Sequence, residues 1–331
     1  MKLSEMIGNE KIKLQLSLAG QAAKLKNNSM PHMLFSGSPG TGKTTCAKAL
    51  ADLQDTPYIQ APPESFKNPE AIYGIFTKLD YSGYDGEGNI VEAVRPTIIF
   101  FDEIHNLPLI AQEIFGVAME NWEVAVKKKH SPETRLHWLP RFTIIGATTL
   151  EGKLSKPFLD RFKMILSFQT YSLEESIRIT NFHAARKGYD ITEDAAACIA
   201  SKARGTPRLV VRYLEGVIDA TVVLNRNVIE VDTANTIFDL MGIDSTGLLQ
   251  SDIKLLKALY KAEAPLGVDN LSILLNEEKT TLERRTEPYL IRRGLMIKTG
   301  QGRLITERGI DYLQENGHVE KSLGLSFRTQ F

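Results

Sequence analysis

The sequence predicts an α/β chain in three parts, and three observations carry that expectation. Up to about Gln169, short apolar strands alternate with helical patterns, the signature of a parallel sheet covered on both faces. Beyond it the pattern is helical. From Ser251 onward three helices (252–261, 268–275 and 281–293) lead into two short strands, 295–298 and 303–306. The strands flank Thr299-Gly300-Gln301-Gly302, and three helices followed by a glycine-turned hairpin describe a winged helix. The expected parts are therefore a parallel-sheet domain over 1–169, a small helical domain over 170–245 and a winged helix over 250–331.

Composition bounds what such a chain can be. At 331 residues it is too long for one ordinary core, and 43% hydrophobic with 24% charged residues is the make-up of a globular protein. Forty Lys and Arg balance forty Asp and Glu, so any surface for nucleic acid must be local. No apolar run approaches the length of a membrane span, and the first ten residues lack the basic and apolar regions of a signal peptide. A cytoplasmic protein with no membrane partner is expected. Cys46 and Cys198 stand far apart, without metal-ligand spacing, and are expected to be small buried hydrophobes.

The first strand, 32–36, enters Gly37-Ser38-Pro39-Gly40-Thr41-Gly42-Lys43-Thr44, which matches the phosphate-loop pattern G-x-x-x-x-G-K-[ST] at every defined position. Glycines allow successive N–H groups to turn toward one anion, Lys43 adds a cation near the β- and γ-phosphates, and the Thr44 hydroxyl suits Mg²⁺. The helix beginning at Thr45 offers its positive end to the same phosphates. Gly37, Pro39, Gly40, Thr41, Gly42, Lys43, Thr44 and Thr45 are thus the expected contacts of ATP.

The next strand, 97–101, ends in Asp102-Glu103, at the strand edge where open α/β sheets bind ligands. Asp102 suits holding Mg²⁺ with Thr44, and Glu103 suits the base that polarises the attacking water. His105 reads as structural. The strand from Phe142 ends in Thr148-Thr149, and Thr148 is the hydroxyl expected to bond the water or γ-phosphate. Arg161 follows shortly after. It reads either as one half of a surface ion pair or as a finger reaching a neighbouring subunit's γ-phosphate. Between residues 121 and 141, alternation on both sides of Ser131-Pro132-Glu133-Thr134 predicts a protruding hairpin. In the helical part, Ser172-Leu173-Glu174-Glu175 has the capping-box spacing, and Thr206-Pro207 places a cap before a proline at a first helical position.

Phosphate loop, Asp-Glu-Ile-His, Gly-Ala-Thr-Thr, Asp-Arg-Phe, Arg-Gly-Thr-Pro-Arg and Glu-Pro-Tyr-Leu-Ile-x-Arg-Gly, in this order, resemble the RuvB family of AAA+ ATPases, bacterial motors of Holliday-junction branch migration. The likeness covers nearly the whole chain. It implies an AAA+ P-loop NTPase sheet domain, a helical lid and a DNA-binding winged helix, assembled as a homo-hexameric ring around double-stranded DNA. Lys43, Asp102, Glu103, Thr148, Arg161 and Arg208 become the catalytic set: phosphate ligand, Walker B pair, first sensor, trans finger and second sensor. Pro207 and Arg208 would reach the nucleotide from the lid, Tyr171 would pack on the base, and Ile7 and Gly8 resemble the adenine-side segment. A RuvA-like partner would dock on the hairpin through Val124, Val126, Leu136 and Trp138, although an ordinary hairpin packed on its own domain fits that pattern as well.

DNA contact is expected in the winged helix. Basic residues outnumber acidic ones between Lys279 and Arg308, and Lys298 and Arg303 on the wing, then Arg292 and Arg293, are the expected phosphate contacts. The chain departs from the family pattern at Gln301, Leu159 and Lys163, where arginine, arginine and glycine are usual. A clamp-loader-like AAA+ ATPase and a non-motor DNA-binding regulatory ATPase are the alternative functions.

Overall fold

The computed structural model describes residues 2–79, 95–127, 134–262 and 264–320. The chain divides into two compact units, one comprising 1–182 with 205–212 and the other 183–204 with 213–331.

The first unit is built on five parallel strands: β1 (Met33–Gly37), β2 (Tyr58–Ala61), β3 (Thr97–Phe101), β6 (Phe142–Thr148) and β7 (Met164–Phe168). Between β3 and β6 the chain makes β4 (Glu123–Lys127) and β5 (Thr134–Trp138). The sheet order is β2-β3-β6-β1-β7, so the two strands with chemistry at their ends, β1 and β3, flank β6. Period-2 alternation sorts β3 between two cores. Ile99 and Phe101 join Leu34, Phe115 and Ile144 on one face, while Ile98 and Phe100 join Met33, Phe35 and Leu50 on the other. Helices α1 (Glu10–Leu25) and α2 (Lys43–Gln54) cover the second face, and α3 (Pro69–Phe76) and α4 (Leu109–Asn121) the first. The short α5 (Lys156–Leu159) precedes β7, and α6 (Leu173–Arg186) leaves the sheet through the expected capping box. Ser172 Oγ accepts from the Glu175 N–H at 3.1 Å, and the Glu175 carboxylate accepts from the Ser172 N–H at 2.8 Å.

Strands β4 and β5 pair antiparallel, with Glu123 opposite Trp138 and Ala125 opposite Leu136. The tip of the expected hairpin, residues 128–133, lies outside the described residues. The pairing divides the four expected docking residues. Val124 is 5% exposed and belongs to the core, and Val126 packs against it. Leu136 and Trp138 point the other way and are 62% and 60% exposed. Opposed residues of an antiparallel pair share a face, so alternation that looked like one contact surface is two.

The second unit contains β8 (Asp190–Ile191) paired with β9 (Val228–Ile229), α7 (Glu193–Lys202), the body of α8 (Pro207–Val223) and α9 (Val231–Leu240). Cys198 on α7 is only half-buried, whereas Cys46 on α2 is fully buried as expected. Next come α10 (Gln250–Lys261), α11 (Val268–Leu275) and α12 (Lys279–Thr281), then a π-turn over Leu282–Thr286 and α13 (Glu287–Arg292). The single expected third helix is thus wound more widely in its middle, leading into Glu287-Pro288, where proline at the second helical position has no N–H to donate. Strands β10 (Met296–Thr299) and β11 (Gly302–Ile305) form the wing, and α14 (Glu307–Glu315) closes the core. Thr299 pairs with Gly302, so the wing turn is two residues rather than four.

Candidate nucleotide site and the winged-helix surface

Strand β1 ends at Gly37, whose φ of +136° and proximity to the Phe168 carbonyl leave no room for a side chain; a Cβ would lie 2.4 Å from that oxygen. Gly40, at φ +76°, is closed in the same way by Thr206 and Arg208, 2.8 and 3.0 Å from where its Cβ would stand. The loop then delivers Lys43 as the first residue of α2. Its Nζ donates to the Gly37 and Ser38 carbonyls at 2.8 and 2.9 Å, which holds the ammonium inside the loop. Burial lowers the Lys43 pKa, and the nearby Glu103 and Asp102 carboxylates work against that shift.

Strand β3 brings its acidic end alongside. The Thr44 hydroxyl lies 3.4 Å from Asp102 Oδ2, and Asp102 Oδ1 accepts from the Glu103 N–H at 3.1 Å. A hydroxyl and a carboxylate oxygen side by side are hard ligands of the kind that would suit Mg²⁺. Among the described residues no group of three or more His, Cys, Asp or Glu side chains forms a metal cage. Glu103 sits in the left-handed region at φ 49°, a conformation that costs a non-glycine residue on the order of 1 kcal/mol and turns its side chain along the sheet edge.

Thr148, the last residue of β6, and Thr149, just beyond it, are both occupied, but on different partners. Thr149 donates to Glu103 Oε2 from its N–H at 3.3 Å and from its hydroxyl at 3.1 Å. Thr148, fully buried, shares a 2.9 Å hydrogen bond with His105 Nδ1 and accepts from the Leu150 N–H. The same His105 nitrogen lies 3.2 Å from Glu103 Oε2. The hydroxyl that meets the carboxylate is therefore Thr149, and His105, read as structural, sits between Thr148 and Glu103. Thr148 is still in the strand, opposite Ser36 of β1, whereas Thr149 has left it, and there its N–H and hydroxyl meet the acid.

The flanking segments converge on the loop. Tyr171, buried, donates from its hydroxyl to the Thr41 carbonyl at 3.1 Å. Its ring lies 2.8 Å from where a Cβ on Gly8 would stand, and Met6 approaches Gly42. Ile7 between them is half-buried. Pro207 begins α8, the Arg208 N–H points to the Gly40 carbonyl at 3.5 Å, and the exposed Arg208 side chain depresses the Lys43 pKa as a like charge. Arg161 lies elsewhere. It precedes β7, whose start pairs with the start of β1, so it stands at the sheet edge opposite the phosphate loop, about 16 Å away by strand rise. There its guanidinium pairs with Glu120 at 2.6 Å. It cannot touch a phosphate bound by its own Lys43.

The wing corrects one DNA expectation outright. Arg303 is 5% exposed, and its Nε and Nη2 donate to the Glu287 carboxylate at 2.8 and 3.1 Å, with Glu283 2.9 Å from Nη2. A guanidinium so enclosed is not available to phosphate. The pairing of Lys298 with Arg303 across the hairpin brings Lys298 to the same acids, 3.1 Å from Glu283. Arg293 is half-buried against Tyr289 and the Thr246 carbonyl. Arg292 is exposed, as are Arg284 and Arg285 on the π-turn.

Parallel order β2-β3-β6-β1-β7, a phosphate loop after β1 and a carboxylate pair after β3 define a phosphate-loop ATPase of the AAA+ class. Comparison with known proteins narrows this. The model for the Holliday junction DNA helicase RuvB P-loop domain matches residues 1–168, that for the RuvB AAA lid domain 171–244, and that for the RuvB C-terminal winged helix domain 245–314. The Holliday junction branch migration complex subunit RuvB of Pseudothermotoga lettingae is 36% identical over 97% of this chain and 90% of its own length. Its Thermotoga maritima counterpart is 33% identical over 94% of this chain and 90% of its own. The solved structure of the Thermotoga maritima RuvB Holliday junction branch migration motor superposes with a TM-score of 0.80 at 31% identity, over 94% of this chain and 96% of that one. The chain belongs to the RuvB family, and its fold is that family's: parallel-sheet P-loop domain, AAA lid and C-terminal winged helix. ATP binding and hydrolysis follow from that membership. Among the described residues no helix is long and apolar enough to cross a membrane.

Proposed function

We propose that this protein converts ATP hydrolysis into movement of double-stranded DNA, promoting branch migration of Holliday junctions as a homo-hexameric ring working with a RuvA-like junction-binding protein. The observation that carries the reading is the meeting, at one sheet edge, of Lys43, the Thr44–Asp102 pair and a Glu103 held by Thr149. Residues 1–169 act as the ATPase, 170–245 as the lid and 250–331 as the DNA-engaging part.

The roles follow from position. Loop N–H groups and Lys43 hold the β- and γ-phosphates, and on their arrival Lys43 exchanges its loop carbonyls for phosphate oxygens. Thr44 and Asp102 would hold Mg²⁺, which would supply charge neutralisation for the phosphates. Glu103 orients the attacking water with its Oε1, because Oε2 is anchored by Thr149. Arg208 senses the γ-phosphate from the lid, and Arg161 leaves Glu120 to reach the γ-phosphate of a neighbouring subunit, which makes hydrolysis a property of the ring. Exposed Arg292, Arg284 and Arg285 supply phosphate contacts without sequence readout. Leu136 and Trp138 form the apolar patch for the partner.

The test is a four-way-junction unwinding assay with ATP, Mg²⁺ and a RuvA-like protein, run with the parent chain and Glu103→Gln. Movement by the parent and none by the variant, which still binds ATP, is the expected result. Parent-rate hydrolysis by Glu103→Gln would remove the assigned base.

A further inference from the structure

The segment Arg204-Gly205-Thr206-Pro207-Arg208 spans the junction between the two compact units, with Arg204 ending one stretch and Gly205 opening the next. Both residues are left-handed, at φ 58° and 68°. From Gly205 onward the segment is fixed to the nucleotide loop: the Gly205 carbonyl accepts from the Tyr171 N–H at 2.9 Å, and Thr206 and Arg208 close on Gly40.

Arg204 is fixed to quite different partners. Its side chain is 8% exposed and pairs at 2.5 Å with Asp252, 1% exposed, in the first turn of α10. Nε donates to the Gly247 carbonyl at 3.1 Å, and the guanidinium stacks 4.1 Å over the ring of Tyr289 on α13. Asp252 Oδ2 also accepts from the Leu249 N–H at 2.7 Å, while Oδ1 has no partner. Gly247 itself closes on the end of α7, 3.1 Å from Lys202 Cα to where its Cβ would be. A lid residue thereby grips two helices of the winged helix and the loop that leads to them. A buried ion pair with an orphaned carboxylate oxygen is a poor device for stability and a good one for fixing register. The left-handed backbone of a non-glycine residue is held in place by those same contacts.

We propose that Arg204 is a positioning residue that couples nucleotide state to the winged helix. A shift of the 205–208 segment against the phosphate loop moves the backbone of Arg204 one peptide bond away, and the Asp252–Tyr289 grip carries that movement into α10 and α13, hence into the wing that α13 leads to. This rests on the reading of 205–208 as the nucleotide-sensing segment. It adds the link from that segment to the DNA-engaging part.

The test uses full-length protein and amide hydrogen exchange with and without Mg²⁺ and a non-hydrolysable ATP analogue. In the parent, peptides covering both 37–45 and 287–305 change exchange when the analogue is added. In Arg204→Ala and in Asp252→Asn the 37–45 response persists, and the 287–305 response falls by about fivefold or more, the scale of a typical coupling free energy. Arg204→Lys, which keeps one donor, recovers part of it. A 287–305 response that survives in both variants, or is missing from the parent while 37–45 responds, overturns the coupling. So does a variant whose whole second unit exchanges faster regardless of nucleotide, since that marks a role in folding alone. Absence of the 37–45 response in the parent instead defeats the nucleotide reading beneath it.

Discussion

Glu287→Gln separates two roles for Arg303 that predict opposite results. In the structure Arg303 and Glu287 are both nearly inaccessible and joined by two hydrogen bonds, with Glu283 on the outer side. Removing one charge from a buried pair typically costs 3–5 kcal/mol, because the other stays buried without compensation. Glu283 remains beside Arg303 and a glutamine keeps one acceptor, so about 3 kcal/mol is expected, read as a lower urea midpoint for the second unit. Duplex-DNA affinity measured across salt concentrations should keep its slope. Were Arg303 instead a phosphate contact restrained by Glu287, freeing it would strengthen binding and steepen the slope by about 0.9 per added contact. A steeper slope with an unchanged midpoint would refute the structural role.

Three further outcomes are expected. Thr149→Val removes a hydrogen bond to the Glu103 carboxylate and should slow ATP hydrolysis roughly 10- to 100-fold with nucleotide affinity retained, whereas Thr148→Val removes the bonds to His105 and the Leu150 N–H, reaches Glu103 only through His105 and should cost less; equal losses would contradict the separate partners. His32 is buried, and burial pushes its pKa down to about 4 from the ordinary 6.5, so the native state resists a proton that the unfolded chain accepts. The stability due to its neutral form is complete above pH 6.5 and is lost as pH falls through 4, about 3 kcal/mol in all, and denaturation midpoints of parent and His32→Gln should converge across that window. Trp138→Asp and Leu136→Asp should abolish binding of a RuvA-like protein while leaving ATP hydrolysis intact; Val124→Asp should instead lower the melting temperature, because it places a charge in the core.

Much of the nucleotide site is legible in the chain because it is made locally. A phosphate loop is eight consecutive residues whose backbone does the binding, and Asp102-Glu103 directly follows the strand that places it. The choice between Thr148 and Thr149 was not legible, since both suit a strand end, and where β6 stops and which groups stand beside its end are set by tertiary structure. Arg303 misled for a related reason. A basic residue on a short glycine-turned hairpin looks solvated in sequence, and the acids that enclose it, Glu283 and Glu287, belong to the preceding helical segment rather than to the wing. Glu283 and Glu287 are four apart, one helical turn, so their shared face was visible; what they faced was not.

The sequence by itself determined the fold class and the order of its parts, because strand and helix periodicities and the glycine and proline positions at their ends are local properties. It also marked the phosphate-loop pattern at residues 37–44. Tertiary structure decided everything that depends on a partner distant in the chain: that Thr149 holds Glu103, that Arg161 stands at the far sheet edge beside Glu120, that Val124 is core while Trp138 is surface, and that Arg303 is enclosed. A charge or hydroxyl in sequence states only what it can do, and whether it is free to do it is set by the groups that packing brings within about 3 Å.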